Sequence, residues 1–290
     1  MTLTVLAVGA QATVQDLGRP GHAGLGVPVG GAADREALRS ANRAVGNPVD
    51  AAALELLLGG LEVQTDSAAI LAVTGAPSSV WRNAVPVPFG ESFAVRPGDR
   101  VRIGTPVIGL RSYLAVRGGL RAAQLYGSAS TNPTADLGPA PLAPGDRWEL
   151  ADSADDEPTL GFSPTSTVHP PQQELTVRVV LGPRDDWFTG PALQQLTWAS
   201  WEVSAEADRV GVRLTGPTIE RARTGELASE GMVRGAIQVP ASGQPIVFGP
   251  DHPTTGGYPV IGVVVDADLD QLWQARPGTG VRFRTVPPPW

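Results

Sequence analysis

Alternation of polar and apolar positions, the period of a half-buried strand, runs through most of this chain. Residues 2–8, TLTVLAV, alternate in this way, and the apolar positions of residues 12–14 extend the pattern toward a glycine-rich segment. Similar short runs cover residues 61–63, 69–73, 112–116, 175–181, 201–203 and 210–214. Turn signals such as Gly75-Ala76-Pro77, Pro88-Phe89-Gly90 and Pro97-Gly98-Asp99 separate them about every eight to twelve residues, the spacing of a β protein. The helical period shows clearly once. Ala37, Leu38, Ala41, Ala44 and Val45 share one face, Arg35, Arg39 and Arg43 take the other, Asp34 supplies an N-cap and Gly46 a stop. Further helices are expected after Pro191 and over residues 269–273. Residues 51–58 suit helix or strand by propensity, and their bounding by Pro48 and Gly59-Gly60 favours strand.

The stretch around which the rest is organised is residues 231–265. Ile237 and Val239, then Ile246, Val247 and Phe248, have strand character with a turn at Ala241-Ser242-Gly243, which predicts a hairpin. A polar loop follows, Gly249-Pro250-Asp251-His252-Pro253-Thr254-Thr255-Gly256-Gly257-Tyr258-Pro259, before a strand resumes at Val260. Its glycines and prolines fix an irregular backbone that can hold side chains in set positions, or that serves only as a connection. Pro97-Gly98-Asp99 recurs in outline as Pro144-Gly145-Asp146 and Pro277-Gly278-Thr279, each a tight turn feeding a strand, which suggests two related β domains. Residues 151–173, acidic and rich in Ser, Thr and Pro, read as a linker between an N-terminal domain over 1–150 and a C-terminal one over 174–290.

Composition narrows the chemistry. Of 290 residues 42% are hydrophobic, enough for a core, with no run near the roughly 20 apolar residues of a membrane-crossing helix. MTLTVLAVGAQATVQD carries no positive residue ahead of its apolar positions, so a first strand and a cytoplasmic location are expected rather than a secretory leader. With no cysteine, disulfides, thiolate catalysis and sulfur-held metals are excluded. All 22 basic residues are arginine, so no Schiff-base lysine, phosphate-loop lysine or biotinylated lysine exists on this chain. A net charge of -7 argues against nucleic-acid binding.

No compact catalytic signature is present. His22, His169 and His252 are dispersed, so no metal site is expected, and Gly24, Gly26 and Gly30, interrupted by Pro28, do not have dinucleotide-loop spacing. Polar residues gather instead in glycine-rich loops of both halves. The segment of residues 16–31 offers Asp16, Arg19 and His22, the helix start offers Asp34, and Arg117 precedes Gly118-Gly119. The last loop offers Asp251, His252, Thr254, Thr255 and Tyr258, and residues 127–133 form another polar loop. Arg19 or Arg117 could neutralise a carboxylate or phosphate, or stitch loops together; Asp16 or Asp34 could move a proton, or Asp34 could simply cap its helix.

The runs GMVRGAIQVPASGQPIVFGPDHPTTGGYPVIGVV, TVQDLGRPGHAGLGVPVGGAAD, SYLAVRGGL and DRVGVRLTGP closely resemble the family of the 5-oxoprolinase C component, also called allophanate hydrolase subunit 2 or the biotin-dependent carboxyltransferase family. The resemblance spans nearly the whole chain. It implies a mainly β fold of two cyclophilin-like β-barrel domains with a few short helices, partnered by the smaller, related 5-oxoprolinase B component. Together with an A component, such proteins open 5-oxoproline to glutamate at the expense of ATP. No cofactor is expected to be bound covalently, and ATP is expected on another protein of the complex. As site residues the resemblance and the loops together point to Asp16, Arg19, Asp34 and His252 for catalysis, and to His22, Arg117, Asp251, Thr254, Thr255 and Tyr258 for substrate binding. The family pattern departs at Ala129, where an arginine is common, at the shortened stretch Leu137-Gly138-Pro139-Ala140-Pro141, and at His22, where an aromatic such as tyrosine is usual. Two other readings stay open: the carboxyltransferase part of a urea-carboxylase-like enzyme, with biotin arriving on another protein, and a regulatory binding protein that antagonises a kinase inhibitor.

Overall fold

The computed structural model describes residues 1–151, 174–223, 225 and 227–288. The expected linker, apart from Ala151, lies outside the described residues. The chain divides into two compact units, Met1–Arg19 with Gly30–Val168, and Pro20–Val29 with His169–Trp290. The division is discontinuous, because Pro20–Val29 groups with the C-terminal residues.

Among the described residues, the first unit contains two antiparallel sheets. One has six strands in the order Arg147–Glu149, Thr2–Ala7, Glu62–Thr65, Arg100–Ile103, Val80–Arg82, Val85–Val87; the other has five, Gln11–Gln15, Ala53–Leu57, Arg111–Val116, Ala69–Gly75, Ser92–Val95. Alternation sends Leu3, Val5, Val63, Val101 and Ile103 of the first and Val14, Leu54, Leu56, Leu71 and Leu114 of the second into one shared core. Each such side chain fully removed from water contributes about 1.5–3 kcal/mol. Helix α1, Arg35–Val45, covers the other face of the five-stranded sheet with the face read from its spacing: Leu38, Ala41 and Val45 pack with Ala53, Ala72, Tyr113 and Ala115. Strand Arg111–Val116 is therefore buried along its whole length.

Residues 12–14 do not continue the first strand. Gln11–Gln15 pairs with Ala53–Leu57 in one sheet, whereas Thr2–Ala7 pairs with Glu62–Thr65 in the other. The chain changes sheets around Gly9, where a Cβ would lie 2.2 Å from the Gly59 carbonyl oxygen, so the crossing admits only glycine. The recurrent Pro-Gly turns behave as the sequence implies: Gly98, Gly145 and Gly278 have φ of 85°, 97° and 86°, and each leads into a strand.

In the second unit the strands close into a seven-stranded barrel ordered Leu175–Leu181, Val260–Val264, Ala236–Gln238, Ile246–Phe248, Gly211–Thr215, Trp201–Val203, Gly280–Thr285. The seam is the parallel pair Leu175–Leu181 with Gly280–Thr285; the other pairs are antiparallel. The predicted hairpin is present, with Ile237 opposite Val247. Val177, Val179, Leu214, Ile237, Val247 and Phe283 are buried, as are Trp201 and Trp273. Helix α2, Gly190–Trp198, starts at Thr189, whose hydroxyl accepts from the Ala192 amide, with Pro191 in its first turn. Helix α3, Asp266–Leu272, begins earlier than the apolar spacing indicates, since its first turn is acidic and exposed rather than apolar. No helix of the described residues is long and apolar enough to cross a membrane.

Candidate functional site

In the first unit, Asp16 leaves the end of strand Gln11–Gln15 and organises the 127–133 loop. Its Oδ1 accepts from the Gly18 amide at 2.7 Å, the Ser128 hydroxyl at 2.6 Å and the Ser130 hydroxyl at 2.5 Å, and its Oδ2 from the Ala129 amide at 2.7 Å. Arg19, 0% exposed, donates to the carbonyls of Ser130 and Leu125. A carboxylate already taken up by donors and a guanidinium bonded to carbonyls hold the loop's shape; both are buried. Ala129, where the family pattern has arginine, packs in the core, so no cation projects there.

Asp34 is also fully buried. Its side chain accepts from Ala37 N as the cap of α1, and its own amide donates to the Tyr113 hydroxyl at 2.8 Å. That hydroxyl donates to Glu55 at 2.7 Å, and Glu55 also accepts from Ala33 N and faces Arg111 at 3.5 Å. Burial, with the nearby Glu55 and Asp34 charges, pushes the Tyr113 phenol well above its ordinary value, so it remains a proton donor. The network fixes the helix start, the structural option open for Asp34. Arg117, partly exposed, follows strand Arg111–Val116, its amide bonded to Ile70 O.

In the second unit, Asp251 forms a buried ion pair with Arg209, at 2.7 Å to Nε and 3.0 Å to Nη2. His252 is buried beside Phe248, the ring centroids 6.1 Å apart, with its Nδ1 2.7 Å from the Pro253 carbonyl oxygen. A carbonyl only accepts, so Nδ1 carries the proton and Nε2 the lone pair; Nε2 has no partner among the described residues. Burial holds the His252 pKa below its ordinary 6.5, against the opposing pull of the Pro253 carbonyl and Asp251. Past these anchors the loop comes into the open: Thr254 is partly exposed and Thr255 exposed, and Tyr258 is 47% exposed. Thr255–Gly256 pairs with Glu230–Gly231 in a two-stranded sheet. His22, partly exposed, begins the short 3-10 turn Ala23–Leu25.

The candidates thus sort into a frame and a face. Asp16, Arg19, Asp34, Asp251 and His252 are buried and build loops, whereas His22, Arg117, Thr254, Thr255 and Tyr258 are accessible. Ser128 and Ser130 lie in the polar loop of residues 127–133, and Tyr113 and Arg209 lie in runs that carry the resemblance, but nothing in the sequence pairs them, or Glu55, with these groups. Arg209 stands 42 residues from Asp251, and no local spacing marks the pair. Among the described residues no three His, Asp or Glu side chains are grouped to hold a metal ion. A cavity of about 680 Å³ in the second unit is lined by apolar residues such as Val180, Pro183, Val263 and Val286, with none of the candidate residues.

A closed barrel and a two-sheet unit, each carrying polar groups on loops pinned from inside, define a protein of the carboxyltransferase-domain class. The family model described as "Carboxyltransferase domain, subdomain A and B" matches residues 25–285, and the chain belongs to that family. It is 36% identical to the C component of 5-oxoprolinase from Escherichia coli over 288 residues, covering 97% of this chain and 90% of that protein. It is 34% identical to the C component of 5-oxoprolinase from Haemophilus influenzae, covering 98% and 91%. Among solved structures, K. lactis urea amidolyase superposes with a TM-score of 0.88 at 30% identity, over 99% of this chain but only 18% of that one.

Proposed function

We propose that the chain is the C component of an ATP-dependent 5-oxoprolinase, a hydrolase component that works in the cytoplasm with an A component and a smaller B component to open 5-oxoproline to L-glutamate. The observation that carries this reading is the match to the E. coli protein over 97% of this chain and 90% of that one. An unactivated lactam is a poor electrophile. Phosphorylation of its oxygen by ATP, bound on another protein of the complex, gives ADP and an activated ring carbon; one water adds there and the ring nitrogen departs as the amine, and a second water hydrolyses the resulting acyl phosphate to the carboxylate and inorganic phosphate. This chain's part is to bind and orient the activated lactam. The second unit offers the accessible Thr255, Tyr258 and His22, with Asp251 and His252 keeping the Thr255 loop rigid. In the first unit, taken by itself, Arg117 is accessible, whereas Asp16 and Arg19 hold the 127–133 loop and Asp34 caps α1.

The test is glutamate release from 5-oxoproline and ATP by the reconstituted three-protein mixture. Turnover should require all three; none from a properly assembled complex would sink the reading. The superposition on K. lactis urea amidolyase favours a second reading, carboxyl transfer to a urea-like acceptor. Because this chain has no lysine, biotin would have to come on a separate carrier, and the arm that tests it supplies carboxylated carrier protein and urea in place of ATP and 5-oxoproline.

A further inference from the structure

Arg221, a residue no spacing in the sequence marks, is fixed against the Thr254-to-Tyr258 loop. Its backbone bridges to Phe188, its Nη2 donates to the Val239 carbonyl at 2.5 Å, and its guanidinium carbon stands 5.5 Å from the centroid of the Tyr258 ring. The loop is tied to the same strand end from its own side. Gln238 donates to the Tyr258 carbonyl at 3.1 Å, and the Val239 amide donates to the Pro259 carbonyl at 3.1 Å. Arginine and phenol are therefore set relative to one another before any ligand arrives.

What Arg221 does not have, among the described residues, is an anion. Elsewhere in this unit Arg184 pairs with Glu230, Arg209 with Asp251, Arg234 with Asp270, and the exposed Arg223 with Asp186. Arg221 is partly buried, forms no ion pair among the described residues, and leaves its Nε buried without a partner. A guanidinium drawn out of water without a counter-charge is costly, and an incoming anion relieves that cost.

We infer that Arg221 and the Tyr258 phenol form a carboxylate-binding subsite, and that its ligand is a small carboxylic acid. With Nη2 already bonded to Val239 and Nε buried, Nη1 and the remaining Nη2 hydrogen form the edge that can meet a carboxylate in two parallel bonds, and the phenol adds a further donor. Among the described residues one positive charge is left uncompensated here, with Arg223 and Arg184 already neutralised, which suits a monoanionic carboxylate better than a dianionic phosphoryl group. The identity of the acid as the carboxylate of 5-oxoproline rests on the proposed function; the anion subsite does not.

The experiment is calorimetric titration of the full chain, alone and with its partner proteins, using L-5-oxoproline, 2-pyrrolidinone (the same lactam without its carboxylate) and inorganic phosphate. The wild-type chain should bind 5-oxoproline at least about tenfold more tightly than 2-pyrrolidinone, the scale of one charge-assisted hydrogen bond. Arg221→Gln should abolish the difference and leave 2-pyrrolidinone binding unchanged. Arg221→Lys, which keeps the charge but loses the fork, should retain part of it and guards against a folding defect in the glutamine variant. In the reconstituted enzyme Arg221→Gln should raise KM about tenfold with kcat within about threefold. The inference is overturned by an unchanged preference in both variants, by a wild-type chain that binds neither lactam or binds both equally, or by tighter binding of phosphate. Absence of wild-type turnover overturns the proposed reaction instead, and the binding ratios still decide the subsite.

Discussion

Asp16→Asn changes a single oxygen to an amino group without changing the side chain's size, so its effect isolates the hydrogen bonds of the 127–133 loop. Three donors converge on Oδ1, from Gly18, Ser128 and Ser130, and Oδ2 takes the Ala129 amide. With the asparagine oxygen at Oδ1, those three bonds survive as neutral ones, each falling from about 1.5–3 to about 1 kcal/mol. The new NH₂ then faces the Ala129 amide donor to donor, and a stranded buried amide costs about 1–3 kcal/mol more. Rotation of the serine hydroxyls recovers part of the first loss, so a net destabilisation of about 3–4 kcal/mol is expected. For a unit of this size that lowers Tm by roughly 6–16 °C. Differential scanning calorimetry reads the shift, and hydrogen exchange at the Ala129 amide, which should accelerate at least about tenfold, assigns it to the loop rather than to the second unit. Ser128→Ala should cost less in the Asp16→Asn background than in the wild type, because the two residues share one bond. A Tm within about 2 °C of wild type, with Ala129 exchange unchanged, would refute the idea that this carboxylate holds the loop.

Asp251→Asn should destabilise the second unit by about 3–5 kcal/mol, since it leaves the buried Arg209 guanidinium facing a neutral partner; a change below about 1 kcal/mol in denaturant unfolding would count against that role. His252 predicts a pH dependence whose sign follows from burial. Its folded pKa lies below the ordinary 6.5, so the unfolded chain takes up a proton that the folded chain resists; the contribution is complete above pH 6.5 and is lost as pH falls below it toward the folded value. His252→Gln should flatten that part of the stability profile, and parallel wild-type and variant profiles between pH 7 and 5 would contradict it.

Local order was legible because it depends on neighbours in the chain. The amphipathic spacing of Ala37, Leu38, Ala41 and Val45, with Asp34 and Gly46 at the ends, fixed α1, and strand alternation fixed most of the barrel. Pro-Gly turns located three strand starts through the positive φ that glycine tolerates. The sheet change at Gly9 was hidden, since apolar residues resume within a few positions on its far side, and only the pairing of Thr2–Ala7 in one sheet and Gln11–Gln15 in the other shows that the chain has crossed.

The sequence by itself determined a mainly β chain without sulfur or lysine chemistry, whose polar residues collect in glycine-rich loops. Composition and periodicity carry that information residue by residue. Which of those polar groups stand in water was decided only by tertiary structure. The Asp16 carboxylate is taken up by Ser128 and Ser130, more than a hundred residues away, and that of Asp251 by Arg209, while Arg221 is left without a carboxylate among the described residues. Ion pairs and hydrogen bonds depend on distance in space, and the fold sets that distance independently of separation along the chain.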